Sequence, residues 1–214
     1  MAVTTNPHNE FAPVIGLVGG VGSGKSSLAR SLETRDDIVV INGDKVGHQV
    51  LTVPSVIHDI RHKFGESVLT SQGEIDRTAL GRLVFGADSD KQKARESLEA
   101  IVHPKIRDRF RELINSARES TATRVVILDA AVLLESGWRP LCDLVVFVDV
   151  PVDERLSRIK ARGWDTRVFE FREASQWSIE KKRDAADYII DNSADLEQTR
   201  GRVQEIINVL QSKA

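Results

Sequence analysis

Cysteine is almost missing: Cys142 stands alone in 214 residues, so no disulfide can close within the chain, and a reducing compartment suits it. The five histidines show no metal-ligand spacing, and with one cysteine beside them no structural zinc site is expected. Aromatic residues make up only 5% of the chain and the net charge is −2, so neither clustered aromatics nor a basic surplus points to a nucleic-acid partner. No apolar run approaches the roughly 18 residues needed to span a bilayer, and residues 1–13 contain no apolar core of a secretory signal. There are no repeats and no low-complexity tract. These absences leave a cytoplasmic chain with no membrane partner, either a monomer or a small homo-oligomer. Hydrophobic content of 41% and charged content of 29% are those of an ordinary globular protein.

What is present is concentrated near the start. Gly19-Gly20-Val21-Gly22-Ser23-Gly24-Lys25-Ser26 fits G-x-x-x-x-G-K-[ST]. Val14–Val18 before it reads as a buried strand, and Ser26-Ser27-Leu28-Ala29-Arg30 after it reads as a helix start. A glycine-rich turn in that setting lets successive backbone N–H groups converge on phosphate oxygens, at the positive end of a helix dipole. Gly22, Ser23, Gly24, Lys25, Ser26 and Ser27 would hold the phosphates of ATP, with Lys25 reaching the β- and γ-phosphates and the Ser26 hydroxyl on Mg²⁺.

Five short β-branched runs, 14–18, 38–41, 125–128, 144–148 and 188–190, alternate with helical patterns. Such runs joined by helices predict an α/β fold: a parallel five-stranded sheet flanked by helices, with ligands at the carboxyl ends of the strands. The gap between 41 and 125 is too long for one crossover. It predicts a helical substrate subdomain over 45–120, built from helices near 55–64, 77–84, 91–101 and 104–119 with a turn at 71–73. Residues 153–186 are crowded with arginine and lysine and read as a mobile cationic lid closing over phosphates, although a solvated helix face explains such a run equally well. Segments 14–44, 121–152 and 187–214 then form the nucleotide-binding core, and 1–13 an N-terminal extension. Near the carboxyl end, Leu196, Val203, Ile206, Ile207 and Leu210 form one helical stripe for the core.

Phosphoryl transfer also calls for a carboxylate near the acceptor hydroxyl. Asp44, just past the second strand, is the candidate; its alternative is to cap a helix over 45–51. Asp129, ending the third strand, reads as a carboxylate for Mg²⁺ or as a turn residue. His103, before Pro104, could touch substrate or serve a turn. Trp138, Trp164 and Trp177 could stack on a base or close the core.

Taken together, these stretches resemble the dephospho-CoA kinase family. The resemblance starts at residues 16–26 and continues at Asn42-Gly43-Asp44-Lys45-Val46-Gly47-His48. It is carried on by Phe64-Gly65, by Gly73-Glu74-Ile75-Asp76-Arg77 and by Leu98-Glu99-Ala100-Ile101-Val102-His103-Pro104. It resumes at Asp129-Ala130-Ala131-Val132-Leu133-Leu134-Glu135, at Arg172 with Gln176, at Lys182-Arg183, and at Ala186-Asp187 with Ile190-Asp191-Asn192. It implies transfer of the ATP γ-phosphate to the ribose 3′-hydroxyl of dephospho-CoA. By the same resemblance Asp44, Lys25, Arg162 and Arg172 are catalytic, with Arg155 also in the lid. Asn192 lies near the adenine, and Asp76, Arg77 and His103 border the acceptor. Two departures stand out: Asn42 replaces the first Asp of the family's D-x-D, and Ala131 its Pro. The stretch 163–171 also reads less helical than such a lid should. The rivals are another small-molecule kinase with the same loop, acting on a nucleoside or nucleotide, and a nucleotide-dependent switch. No [NT]-K-x-D motif follows a strand here to mark a guanine-specific switch.

Overall fold

The structure is a computed structural model describing residues 12–86, 88–193 and 195–211; most of the expected 1–13 extension lies outside the described residues. In chain order the strands are β1 (Val14–Val18), β2 (Ile38–Asn42), β3 (Val125–Asp129), β4 (Leu144–Asp149) and β5 (Tyr188–Asp191). The helices are α1 (Lys25–Leu32), α2 (Gly43–Val50), α3 (Pro54–Phe64), α4 (Arg77–Val84), α5 (Ser89–Glu119), α6 (Val152–Ala161), α7 (Thr166–Ala174), α8 (Ile179–Asp184) and α9 (Leu196–Gln211). The chain divides into two compact units, one of residues 12–42 and 113–211 and the other of 43–112.

The first unit is an all-parallel sheet in the order β2-β3-β1-β4-β5. β1 and β3 are buried along their whole length, which is why they are unbroken apolar runs rather than alternating ones. The edge strands β2 and β5 are partly exposed. On one face Leu28, Ala29 and Leu32 of α1 and Val203, Ile206 and Ile207 of α9 pack on Ile15, Leu17, Ile127 and Val146. β1 lies between β3 and β4, so the chain leaves it toward one edge of the sheet and later returns on the other side. That reversal opens a crevice at the carboxyl end of β1, where the glycine-rich loop lies.

The second unit holds α2, α3, α4 and most of α5. Its turn at 71–73 is closed by the Gly73 N–H donating to the Thr70 carbonyl at 3.0 Å, beside a bridge between Leu69 and Ile75.

Three expectations about helices are corrected. The two helices expected over 91–101 and 104–119 are one, α5, with Pro104 inside it. Proline costs that helix one N–H, but Ile106, Phe110, Ile114 and Ala117 repeat at helical spacing just beyond it and are buried, which holds the helix through the defect. Residues 166–174 are helical after all, because the Asp165 carboxylate accepts from the Arg167 N–H at 2.8 Å and caps α7, and Phe169 is buried. Leu196 is exposed at the start of α9, and Thr199 takes the buried place on that stripe instead.

The sheet leaves no room at Gly16, where a Cβ would lie 2.8 Å from both Cys142 Sγ and Leu133 Cδ1. Gly16→Ala should therefore cost about 1–3 kcal/mol, the range for overpacking a core, read as a lower urea midpoint at unchanged slope. Adding Cys142→Ala should recover part of that loss; a strictly additive double variant would place the crowding elsewhere.

Candidate active site

In the loop between β1 and α1 four carbonyls are held by side chains. Lys25 Nζ donates to the carbonyls of Gly19 and Gly20, both at 2.9 Å, and to Ser23 Oγ at 3.3 Å. Arg155 Nη1 of α6 donates to the Val21 carbonyl at 3.1 Å. The Ser23 carbonyl accepts from Asn192 Nδ2 at 2.7 Å and from Arg158 Nη1 at 3.4 Å. Two N–H groups of the loop are taken as well, that of Val21 by Glu173 Oε1 at 2.7 Å and that of Ser23 by the Gly20 carbonyl at 3.2 Å. Gly24, in the left-handed region at φ 87°, makes the reversal into α1, and no side chain caps that helix. The N–H groups of its first turn are those a helix leaves without internal partners. Residues 22–27 line a cavity of about 90 Å³ together with Arg30 and Arg162. That is about three water volumes, room for a phosphate-sized group.

The surroundings are charged and largely buried. Burial pulls the Lys25 ammonium down to about 8; the nearby positive charge of Lys182 adds to this, while Asp129 and Glu173 oppose it. Lys182 is itself buried, with Nζ 2.5 Å from Gln176 Oε1 and 3.0 Å from Glu135 Oε1. Arg155, only 6% exposed along its side chain, pairs with Glu173 at 2.8 Å. Neither Arg155 nor Lys182 sits on a solvated face, so for these two the solvated reading of the basic segment is corrected.

The expected site residues fall into two groups. In the first unit, Ser26 lines the phosphate-sized cavity and is exposed, and Arg162 lies at its rim. Asp129 is buried at the end of β3, in register with Asn42 of β2 and Leu17 of β1, close enough for its charge to act on Lys25. Asn192, expected near an adenine, is buried with Nδ2 on the loop and Oδ1 accepting from Thr199 Oγ1 at 2.9 Å. Arg172 lies over the Trp164 ring at 4.5 Å. Of the other tryptophans, Trp138 is buried and Trp177 carries Lys181 Nζ 3.6 Å above its ring. In the second unit, Asp44 is exposed in the first turn of α2, which begins one residue earlier at Gly43, so the capping position is not its place. Asp76 caps α4, its Oδ1 accepting from the N–H groups of Thr78 and Ala79 at 2.9 and 3.0 Å. Arg77 Nη2 is 2.7 Å from His48 Nε2, and half-buried His103 has its pKa lowered by burial.

Among the described residues no cluster of three His, Cys, Asp or Glu side chains could hold a metal by itself. A divalent ion here would draw most of its oxygens from phosphate and water. One hydroxyl and one carboxylate, Ser26 and Asp129, suit Mg²⁺ used in that way. Sequence reasoning missed Glu173 as a partner of the loop and Thr199 as the partner of Asn192 behind it. Glu173 is an acidic residue on a basic segment, and only a search for opposite charges across it would have raised it.

Comparison with known proteins agrees over nearly the whole chain. Residues 13–198 match the family model described as dephospho-CoA kinase. The dephospho-CoA kinase of Rhodopirellula baltica is 37% identical over 202 residues, covering 94% of this chain and 93% of that one. That of Thermobifida fusca is 39% identical over 201 residues, covering 93% and 96%. Among solved structures, a Thermus thermophilus protein is similar with a TM-score of 0.75 and 29% identity, covering 94% of this chain and 99% of that one. The dephospho-CoA kinase from Campylobacter jejuni has a TM-score of 0.63 and 25% identity, with 92% and 95% covered.

The low pKa of Lys25 gives a pH dependence. A bound polyphosphate raises that pKa above its free value of about 8, so binding takes up a proton once the pH exceeds 8. Affinity for inorganic triphosphate should be full below pH 8 and fall as the pH climbs toward the bound-state pKa. Calorimetry on Lys25→Arg, whose guanidinium stays charged, should show no such slope. The same slope in that variant would assign the proton to another group.

Proposed function

The chain belongs to the dephospho-CoA kinase family, and from that membership we propose that it transfers the γ-phosphate of ATP to the ribose 3′-hydroxyl of dephospho-CoA, releasing CoA and ADP. The observation that carries this reading is the uncapped start of α1, with the carbonyls of Gly19, Gly20, Val21 and Ser23 held by side chains. It is the start of a helix open to an anion, with Lys25 beside it to turn from carbonyl oxygens to phosphate oxygens.

In this reading the amides and hydroxyls of residues 22–27 hold the ATP phosphates. Lys25 exchanges the carbonyls of Gly19 and Gly20 for β- and γ-phosphate oxygens and follows the charge that moves in transfer. Arg162 at the cavity rim supplies a second cation, and Arg172 leaves Trp164 to supply a third. Ser26 and Asp129 would hold Mg²⁺, which would supply neutralisation of phosphate charge. Asp44, two residues past the carboxyl end of β2, orients the acceptor hydroxyl and takes its proton; its exposure leaves the carboxylate open to substrate. Asp76, Arg77 and His103 hold the acceptor, with Asp76 sharing its carboxylate with the α4 cap, and Asn192 stands by the adenine while bracing the loop. The nucleotide core is assigned to 14–44, 121–152 and 187–214, the acceptor subdomain to 45–120 and the lid to 153–186. The compartment is the cytoplasm, in keeping with a lone buried Cys142.

Incubation of the purified protein with Mg·ATP and a panel of dephospho-CoA, nucleosides and nucleotides tests the reading. CoA and ADP should form together, and phosphorylation of a nucleoside or nucleotide in place of dephospho-CoA would overturn it. Lys25→Ala should lower kcat by about 10²-fold or more. Asp44→Asn should lower it by about 10²- to 10⁴-fold at unchanged ATP affinity. If the Asp44 variant loses only stability, the catalytic carboxylate is to be sought at Asp129. Arg162→Ala should reduce kcat with the melting temperature unmoved.

A further inference from the structure

Two helices reach the phosphate loop through one ion pair. Glu173 of α7 accepts from the Val21 N–H through Oε1 at 2.7 Å, and its Oε2 lies 2.8 Å from Arg155 Nη1 of α6. The same Arg155 Nη1 donates to the Val21 carbonyl at 3.1 Å, so both polar groups of Val21 are held by one pair of side chains. The guanidinium is seated 5.4 Å from the centre of the Phe169 ring. The neighbouring glycines follow from this approach. A Cβ on Gly20 would lie 2.4 Å from Arg155 Nη1, and one on Gly22 would lie 2.8 Å from the Arg155 carbonyl oxygen.

We propose that Arg155 and Glu173 are positioning residues for the nucleotide: they set the Val21 peptide groups so that the amides of 22–27 converge on phosphate, and they make nucleotide affinity depend on the docking of α7. This rests on the reading that residues 22–27 hold the ATP phosphates. Charge explains why the clamp is a pair. A lone carboxylate on a polyphosphate site repels its ligand, whereas Glu173 neutralised by Arg155 supplies an acceptor for the N–H and a donor for the carbonyl at no net charge. Removing Arg155 alone should then do more harm than removing the pair, since it leaves an uncompensated anion against the loop.

The test is ADP affinity by calorimetry, with steady-state kinetics and thermal melting on the same proteins. Glu173→Ala should weaken ADP about tenfold, the consequence of one buried donor left unpaired, and raise the ATP KM in parallel. Glu173→Gln keeps an acceptor for the Val21 N–H and should recover to within about threefold of wild type. Arg155→Met should weaken ADP more than Glu173→Ala, and adding Glu173→Gln to it should restore part of the loss. Through the series the dephospho-CoA KM should hold, even where the melting temperature falls because one charge of the pair is left bare. Unchanged or tighter ADP binding in Glu173→Ala would overturn the proposal, as would an equal loss for both substrates among the folded variants. Failure of the wild-type protein to bind ADP would instead strike the reading of the loop itself.

Discussion

The first unit depends on finding side-chain donors for a short run of loop carbonyls. A backbone has as many acceptors as donors, so a loop that offers only N–H groups to an anion has to place its oxygens elsewhere. Here Lys25, Arg155, Arg158 and Asn192 take them, from the loop's own helix, from α6 and from the end of β5. The strand order serves this directly. Because β1 is central and flanked by β3 and β4, residues from several strand ends and crossover helices come to one short turn.

Those contacts put cations around an anion site before any anion arrives. Left alone, they would repel one another, and the lowered pKa of Lys25, due first to burial, carries that repulsion from Lys182 as a second cause. Carboxylates interleave with them: Glu135 against Lys182, Glu173 against Arg155, and Asp129 within reach of Lys25. The result is a nearly balanced cluster whose positive members can still turn to phosphate. Breaking any one such buried pair costs far more than the pair contributes, because it leaves a bare charge.

Much of this was legible in the residues. Unbroken β-branched runs announced the sheet, since strands covered on both faces have no polar side to alternate with, and the glycine spacing before Lys25 announced the loop. What stayed hidden was contact across distance in the chain. Nothing near Glu173 marks it as a partner of Val21, and the burial of Arg155 and Lys182 is set by tertiary packing that the charge pattern alone hides. The length of α5 was missed for a related reason: proline signals a break locally, while the buried stripe beyond it decides otherwise. For α7 the signal existed in the Asp165 cap, but it was outweighed by the neighbouring glycine and aromatic residues.

The bond from Asn192 to the Ser23 carbonyl, with Thr199 behind it, also sets an order in time. The phosphate loop leaves the ribosome well before its back support. At 5–20 residues per second the two are separated by roughly 8–35 s of synthesis. During that interval the loop carries its glycines and its lysine without the bond from Asn192 to the Ser23 carbonyl. The earlier-made part of the site waits on a residue made later, and a chain that stops short of Asn192 should emerge with an intact motif and without that bond to its Ser23 carbonyl.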